Sequence, residues 1–230
     1  MDLRVRLPAD PDAQIFAGLP PRIANDYPQI EPLRRFEGSI RLSGGQISHV
    51  TEDKGLLGLL LRSADGKQVA QFRLDGFTHN RLHPYTSWTQ VLQEARRLWE
   101  LYRECASPES VTRAAVRYIN HFEIPADADM GHYLTDPPVA PDRVGRPLKH
   151  YLKRVVVEDP ASGFQATIHH AIEPSSAPLR RIVLLDIDAV ASGAYPTAGD
   201  GLDAVLEELH DLKNRVFFAS LTEAALEMFE

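Results

Sequence analysis

Val111-Thr112-Arg113-Ala114-Ala115-Val116-Arg117-Tyr118-Ile119-Asn120-His121-Phe122 alternates as a β-strand does. Side chains two apart share a face of a strand. Arg113, Arg117 and His121 therefore point one way with Ala115 and Ile119, and Ala114, Val116, Tyr118, Asn120 and Phe122 point the other. Two guanidiniums on one face of an apolar strand need water or carboxylates. Two further segments offer carboxylates on a strand face: Arg73-Leu74-Asp75 and Asp186-Ile187-Asp188.

On the amino-terminal side, Asp2 to Leu7 alternates from the first residue, and Pro8 to Pro11 ends that strand. Ala13 to Tyr27 is mixed, with a short helix interrupted at Pro20-Pro21, and Pro28 to Pro32 is extended. Phe36 to Leu42 reads as a strand, Ser43-Gly44-Gly45 as a turn and Leu56 to Arg62 as a buried strand. Ala64-Asp65-Gly66-Lys67 is a hairpin signal, because Asp-Gly tolerates the positive φ of a tight turn. Val69 to Phe77 returns as one strand, with Gln71, Arg73 and Asp75 on one face. A helix follows, with Trp88, Val91, Leu92, Ala95, Leu98 and Leu101 repeating at three and four residues. Ser87 and Gln90 form its capping box, and Pro108 lies beyond its end.

On the carboxyl-terminal side, residues 125 to 147 are rich in Pro, Asp and Gly and read as a long loop, pinned by Tyr133 and Leu134. Loops of that length are uncommon in compact domains. His150 to Glu158, Phe164 to Glu173 and Arg181 to Val190 are strands, and Ser192 to Gly201 is a loop. Leu202, Val205, Leu206, Leu209, Leu212 and Val216 form the stripe of a second long helix. Ser220 and Glu223 cap a short last one.

Short turns join neighbouring strands, so the sheet is expected to be mostly antiparallel. The fold class is α+β, with antiparallel strands curving around two long amphipathic helices. Residues 1–230 read as a single compact unit. The repeated strands-then-helix order suggests two similar β-β-β-α halves, 1–108 and 109–230.

The totals exclude some functions. Hydrophobic residues at 43% and charged residues at 25% permit a core and argue against disorder. A net charge of −7 disfavours a general nucleic-acid binder. The one cysteine, Cys105, permits no intramolecular disulfide and fits a reducing cytoplasm. No apolar run approaches the roughly 20 residues that span a bilayer, and Met1 to Pro8 lacks the apolar stretch of a signal peptide.

Several pieces could carry chemistry. Asp186 and Asp188 could hold a divalent cation with phosphate oxygens. The plainer reading pairs them with Arg73, Arg113, Arg117 or Lys153, as cross-strand charges commonly pair. His79 and His83 are spaced for a metal only on a helix, which Pro84 opposes. His169 and His170 point to opposite faces. Cys105, at a helix C-terminus, is no favoured thiolate. Trp88, Trp99, Tyr85 and Tyr102 read as packing before they read as a base-stacking platform. Phe217, Phe218 and Phe229 either pack or meet a partner.

Gln71-Phe72-Arg73-Leu74-Asp75-Gly76-Phe77, Asn80-Arg81-Leu82, Pro84-Tyr85-Thr86-Ser87-Trp88, Val116-Arg117-Tyr118-Ile119-Asn120, Leu184-Leu185-Asp186-Ile187-Asp188 and the ending from Leu209-His210 to Leu221-Thr222 occur in this order. Together they resemble a sporadically distributed prokaryotic family of conserved proteins with no established activity. The resemblance spans most of the chain from residue 36 onward and implies one unit. It brings no catalytic residues. Members of that family often carry more residues before the first strand, which implies a start trimmed close to Met1.

The expectation is therefore a non-enzymatic binding or interaction protein without a cofactor or metal, homo-oligomeric or bound to another chain, and cytoplasmic. Its polar cluster is expected to be Arg73, Asp75, Arg113, Arg117, Asp186 and Asp188, formed where the halves meet. One alternative is an enzyme or sensor that binds a metal-phosphate or nucleotide-like ligand through Asp186 and Asp188 with Arg113 and Arg117. Another is a carrier of a small apolar ligand in a sheet–helix cavity.

Overall fold

The computed structural model describes residues 1–8, 11–43, 46–85, 87–139 and 148–229, without the side chains of 39–51 and 174. Gly44 and Gly45 of the expected turn, Thr86, and residues 140–147 of the expected loop lie outside the described residues.

The chain is α+β. Its strands are β1 (Asp2–Arg6), β2 (Gln29–Ser43), β3 (Gln46–Arg62), β4 (Gln68–Arg73), β5 (Gly76–Arg81), β6 (Ser110–Pro125), β7 (Tyr151–Glu158), β8 (Gln165–Pro174) and β9 (Arg180–Tyr195). Its helices are α1 (Pro20–Ile23), α2 (Trp88–Ala106), α3 (Asp200–Ser220) and α4 (Glu223–Leu226). The strands form one open antiparallel sheet in the order β2-β3-β4-β5-β1-β6-β9-β8-β7. Among the described residues, no helix is long and apolar enough to cross a membrane. Two compact units divide the chain: residues 1–113 with 193–199, and residues 114–192 with 200–230.

In the first unit, the stretch expected as one strand from Val69 to Phe77 is two. β4 turns at Leu74-Asp75 and returns as β5, pairing Arg73 with Gly76 and Phe72 with Phe77. Period-two alternation continues through so tight a turn, which is why the sequence hides it. Gly76 takes φ +156°, and a Cβ there would run into the Leu3 carbonyl oxygen of the next strand. The core face of α2 is also rotated from the expected one. Val91, Leu92, Ala95 and Leu98 are buried as expected, but Trp99, Tyr102 and Ala106 complete the face, while Trp88 and Leu101 are only half-buried. Trp99 stacks on Tyr102 with centroids 5.1 Å apart and planes at 12°. Phe16, Phe72 and Phe77 pack around Tyr102. Ser87 caps α2 by accepting from the Gln90 N–H at 3.3 Å.

In the second unit, β9 alternates cleanly. Val183, Leu185, Ile187, Ala189 and Ala191 are all buried, and Leu184, Asp186 and Asp188 take the opposite face. β9 continues to Tyr195, beyond the expected end at Val190 and into the segment expected as loop. The buried face packs on Phe122, Ile124, Met130, Leu134, Leu221 and Ala225, with Val216, Phe217 and Leu226 beside them. Leu134 and Tyr133 do pin the loop: Leu134 bridges to Leu221, and the Tyr133 carbonyl accepts from the Thr222 N–H. The cap of α4 is Thr222, whose hydroxyl accepts from the Ala225 N–H; it is not Ser220. Ser220 instead closes α3, its hydroxyl donating to the Val216 carbonyl at 2.7 Å.

Candidate interaction face

The face of the second unit's sheet opposite its helices carries the alternate residues of β6 from Arg117 to His121. Arg117, Ile119 and His121 of β6 are exposed there, and Arg117 reaches Asp186 of β9. The registers Thr167↔Asp188 and His169↔Asp186 place Thr167 and His169 of β8 beside the two acids. The pairs Leu152↔Ala171, Arg154↔His169 and Val156↔Thr167 extend the same face onto β7. The helical side takes Tyr118 instead, with the Lys213 ammonium of α3 3.7 Å from its ring centroid. Burial alone pulls the Lys213 amine down to about 8.

At the centre of the open face lies a two-pronged ion pair. Arg117 Nε donates to Asp186 Oδ1 at 2.8 Å, and Nη2 donates to Oδ2 at 2.6 Å. This fork geometry fixes both partners in orientation. The Asp186 side chain is 7% exposed and that of Arg117 53%, so the arginine lids the acid. The hydrogen bonds to Asp186, with the added field of Asp188, hold the guanidinium more firmly protonated than usual. His169 Nδ1 stands 3.5 Å from Asp186 Oδ2. Around this polar centre, Ile119 is 54% exposed, Leu152 74% and Val156 47%. The open face thus combines a fixed charge pair with exposed aliphatic side chains.

Arg73, Asp75 and Arg113 belong to the first unit, where they form a network around Asp2. Its Oδ1 accepts from Arg73 Nη2 at 3.0 Å and from Thr78 Oγ1 at 2.6 Å, and its Oδ2 accepts from Arg113 Nη1 at 2.9 Å. Arg73 also donates to Asp75 at 2.9 Å and to Gln71 at 2.7 Å, and Arg4 pairs with Asp75. Burial alone would push the Asp2 carboxyl up, but the hydrogen bonds from Thr78 and Arg73 hold it below the usual carboxylate range. Of the six expected residues, Arg73, Asp75 and Arg113 thus form one network, Arg117 pairs with Asp186, and Asp188 lies on the open face opposite Thr167. Lys153 pairs with Asp136, an acid of the expected loop. Asp2 was missed as a hub. Its signal was the alternation Asp2, Arg4, Arg6 on the polar side of the first strand.

The other candidates have structural surroundings. His79 is fully buried on β5 with Nε2 3.1 Å from Gln68 Oε1, and burial lowers its pKa to about 4. Burial raises the Cys105 thiol. The Trp99 indole donates to the Thr197 carbonyl at 3.0 Å within the core. Phe218 and Phe229 are exposed, while Phe217 packs against the core of its unit. Among the described residues, no three metal-ligating side chains gather. The second unit also holds a cavity of about 170 Å³ between sheet and helix, lined by Lys153, Val155, Ile168, His170 and Leu185 with Ala219 and Ser220 at the end of α3. The His170 Nε2 is buried there without a hydrogen-bond partner among the described residues.

Compared with known proteins, the chain matches no family model, no curated protein and no solved structure.

Proposed function

We propose that this chain is a non-enzymatic interaction protein, and that the open sheet face of its second unit receives a folded partner protein. The observation that carries this reading is the exposed set Ile119, Leu152 and Val156 around the fixed Arg117–Asp186 pair. Exposed aliphatic side chains on an open sheet face favour association over solvation. The pair supplies orientation, since a partner must meet a guanidinium at one set place. The charge balance and the single cysteine fit a partner that is protein and a cytoplasmic setting.

The test is a photo-crosslinking amino acid at Ile119 in cells. One recurrent protein adduct, lost when Arg117→Glu is added, is the expected result. Absence of any protein adduct at Ile119 would remove the reading. Calorimetry with Mg²⁺, Mn²⁺ and a nucleotide panel addresses the enzyme or sensor alternative. Saturable binding that disappears in Asp186→Ala would replace the present proposal with that one. The carrier reading has one specific observation in its favour, the cavity in which His170 Nε2 lacks a partner. A small molecule retained in native mass spectra, and released by filling the cavity with Ala219→Met, would support it.

A further inference from the structure

The open sheet ends at two edge strands, β2 and β7, and they differ in kind. β2 carries Pro32 and two register shifts, between Leu33 and Arg34 and between Arg34 and Phe36. Proline and bulges are devices that stop an edge from pairing further. β7 has neither: its eight residues pair with β8 in unbroken register from Tyr151↔Ile172 to Glu158↔Gln165. Its outer side chains Leu152, Arg154, Val156 and Glu158 are all exposed, and Val157 on the helical side is 37% exposed. Such an edge is a template for another strand.

We infer that β7 pairs antiparallel with β7 of a second copy, with Val156 on the two-fold axis. Symmetry and charge select this arrangement. A two-fold antiparallel pair keeps each residue on its own face, so only residues of equal parity stand opposite one another. Placing Arg154 or Lys153 on the axis sets like charges face to face, which destabilises a pair. Placing Val155 on the axis leaves Arg154 opposite Val156 and Glu158 opposite Leu152, with no charge matched. Placing Val156 on the axis sets Arg154 of each copy opposite Glu158 of the other, twice by symmetry. It also sets Val155 opposite Val157. Arg154 makes no ion pair among the described residues, and Glu158 makes only a 3.5 Å contact with Gln165. Both charges are therefore available to the second copy. The overlap is short, so the dimer is expected to be weak and to depend on concentration. The inference does not depend on what occupies the open face.

The test is disulfide capture in a Cys105→Ala background. Directly opposed residues bring their β-carbons to about 4.5–5.5 Å, close to the reach of a disulfide. Under mild oxidation, Val156→Cys is expected to give a covalent dimer and Val155→Cys is not. Arg154→Glu is expected to weaken the reversible dimer of the unlinked protein roughly tenfold in sedimentation, and Arg154→Glu with Glu158→Arg to restore it. Capture through Val155→Cys in place of Val156→Cys overturns the inference. So does a wild-type chain that sediments as a monomer up to about millimolar concentration, the weak end of specific association. If the charge-swapped chain fails to fold, the two cysteine variants decide alone. A monomer that still yields the Ile119 adduct would separate failure here from failure of the proposed function.

Discussion

Asp186 shows why one guanidinium matters more than its exposure suggests. The carboxylate is nearly enclosed, and Arg117 occupies both of its oxygens. Removing the arginine leaves a buried charge without its partner. Loss of one member of a fully buried pair costs about 3–5 kcal/mol, and the half-exposed state of Arg117 scales that down through solvent screening. Arg117→Ala is therefore expected to cost about 1–3 kcal/mol in urea unfolding. Asp186→Asn, which keeps the shape and removes the charge, is expected to cost less. Equal losses would mean that packing, not charge, holds the site. His79 makes a second prediction at this scale. Burial lowers its pKa from 6.5 to about 4. Between those values the unfolded chain takes up a proton that the folded chain refuses. Stability is full above pH 6.5 and falls as pH drops towards 4, by an amount on the order of 2–3 kcal/mol. The imidazoles of buried His170 and half-buried His210 are lowered in the same direction, so they add to the same slope. Denaturant midpoints from pH 7 to 4.5 are expected to fall less steeply in His79→Gln. An unchanged slope would assign the acid sensitivity to the other groups.

Among the elements, the β4–β5 turn is the most exacting. Gly76 lies where a side chain would strike the Leu3 carbonyl oxygen, and Gly58 where one would strike Phe72. Gly76→Ala must therefore push β1 off β5, and it is expected to cost roughly 2–3 kcal/mol by thermal unfolding. Gly66→Ala, at φ +68° but in open space, is expected to cost about 1 kcal/mol, since only backbone strain opposes it. The same turn marks where sequence reading ended. Alternation located β1, the core strands and the arginine face of β6, because a period of two is set by local geometry. It ran through Leu74-Asp75 because a turn of that length leaves the alternation intact. The face of α2 was read one step away from the true one, since Trp99 and Tyr102 are as apolar in bulk as Trp88 and Leu101. What decided between them was the ring cluster of Phe16, Phe72 and Phe77, supplied by distant parts of the chain. The partner of Arg117 was among the acids named beforehand. Asp2 was not: its alternation with Arg4 and Arg6 marks the polar face of β1 but does not say which strands lie beside that face.

On the scale of the whole molecule, the chain does not divide at one point. Residues 193–199 return to the first unit between the two stretches, 114–192 and 200–230, that make up the second. That return supplies Thr197, whose carbonyl accepts the Trp99 indole N–H. A chain ending at Arg113 keeps every strand from β1 to β5 and all of α2, yet it loses this acceptor and the segment that carries it. Trp99 is 5% exposed in the intact protein, so its emission reports whether the core stays closed. The fragment 1–113 is expected to show red-shifted tryptophan emission and a broadened unfolding transition. Leaving a buried donor unsatisfied costs about 1–3 kcal/mol, and the uncovered apolar surface adds to that loss. A direct fusion of residues 193–199 onto the fragment through a flexible linker is expected to move the emission back towards that of the full chain, because linker length adds little to the cost of closure. Trp88, half-buried at the start of α2, contributes a background that Trp88→Phe removes. If the fragment 1–113 matched the full chain in emission and in cooperativity, the returning segment would be decoration, and the first unit would close without it.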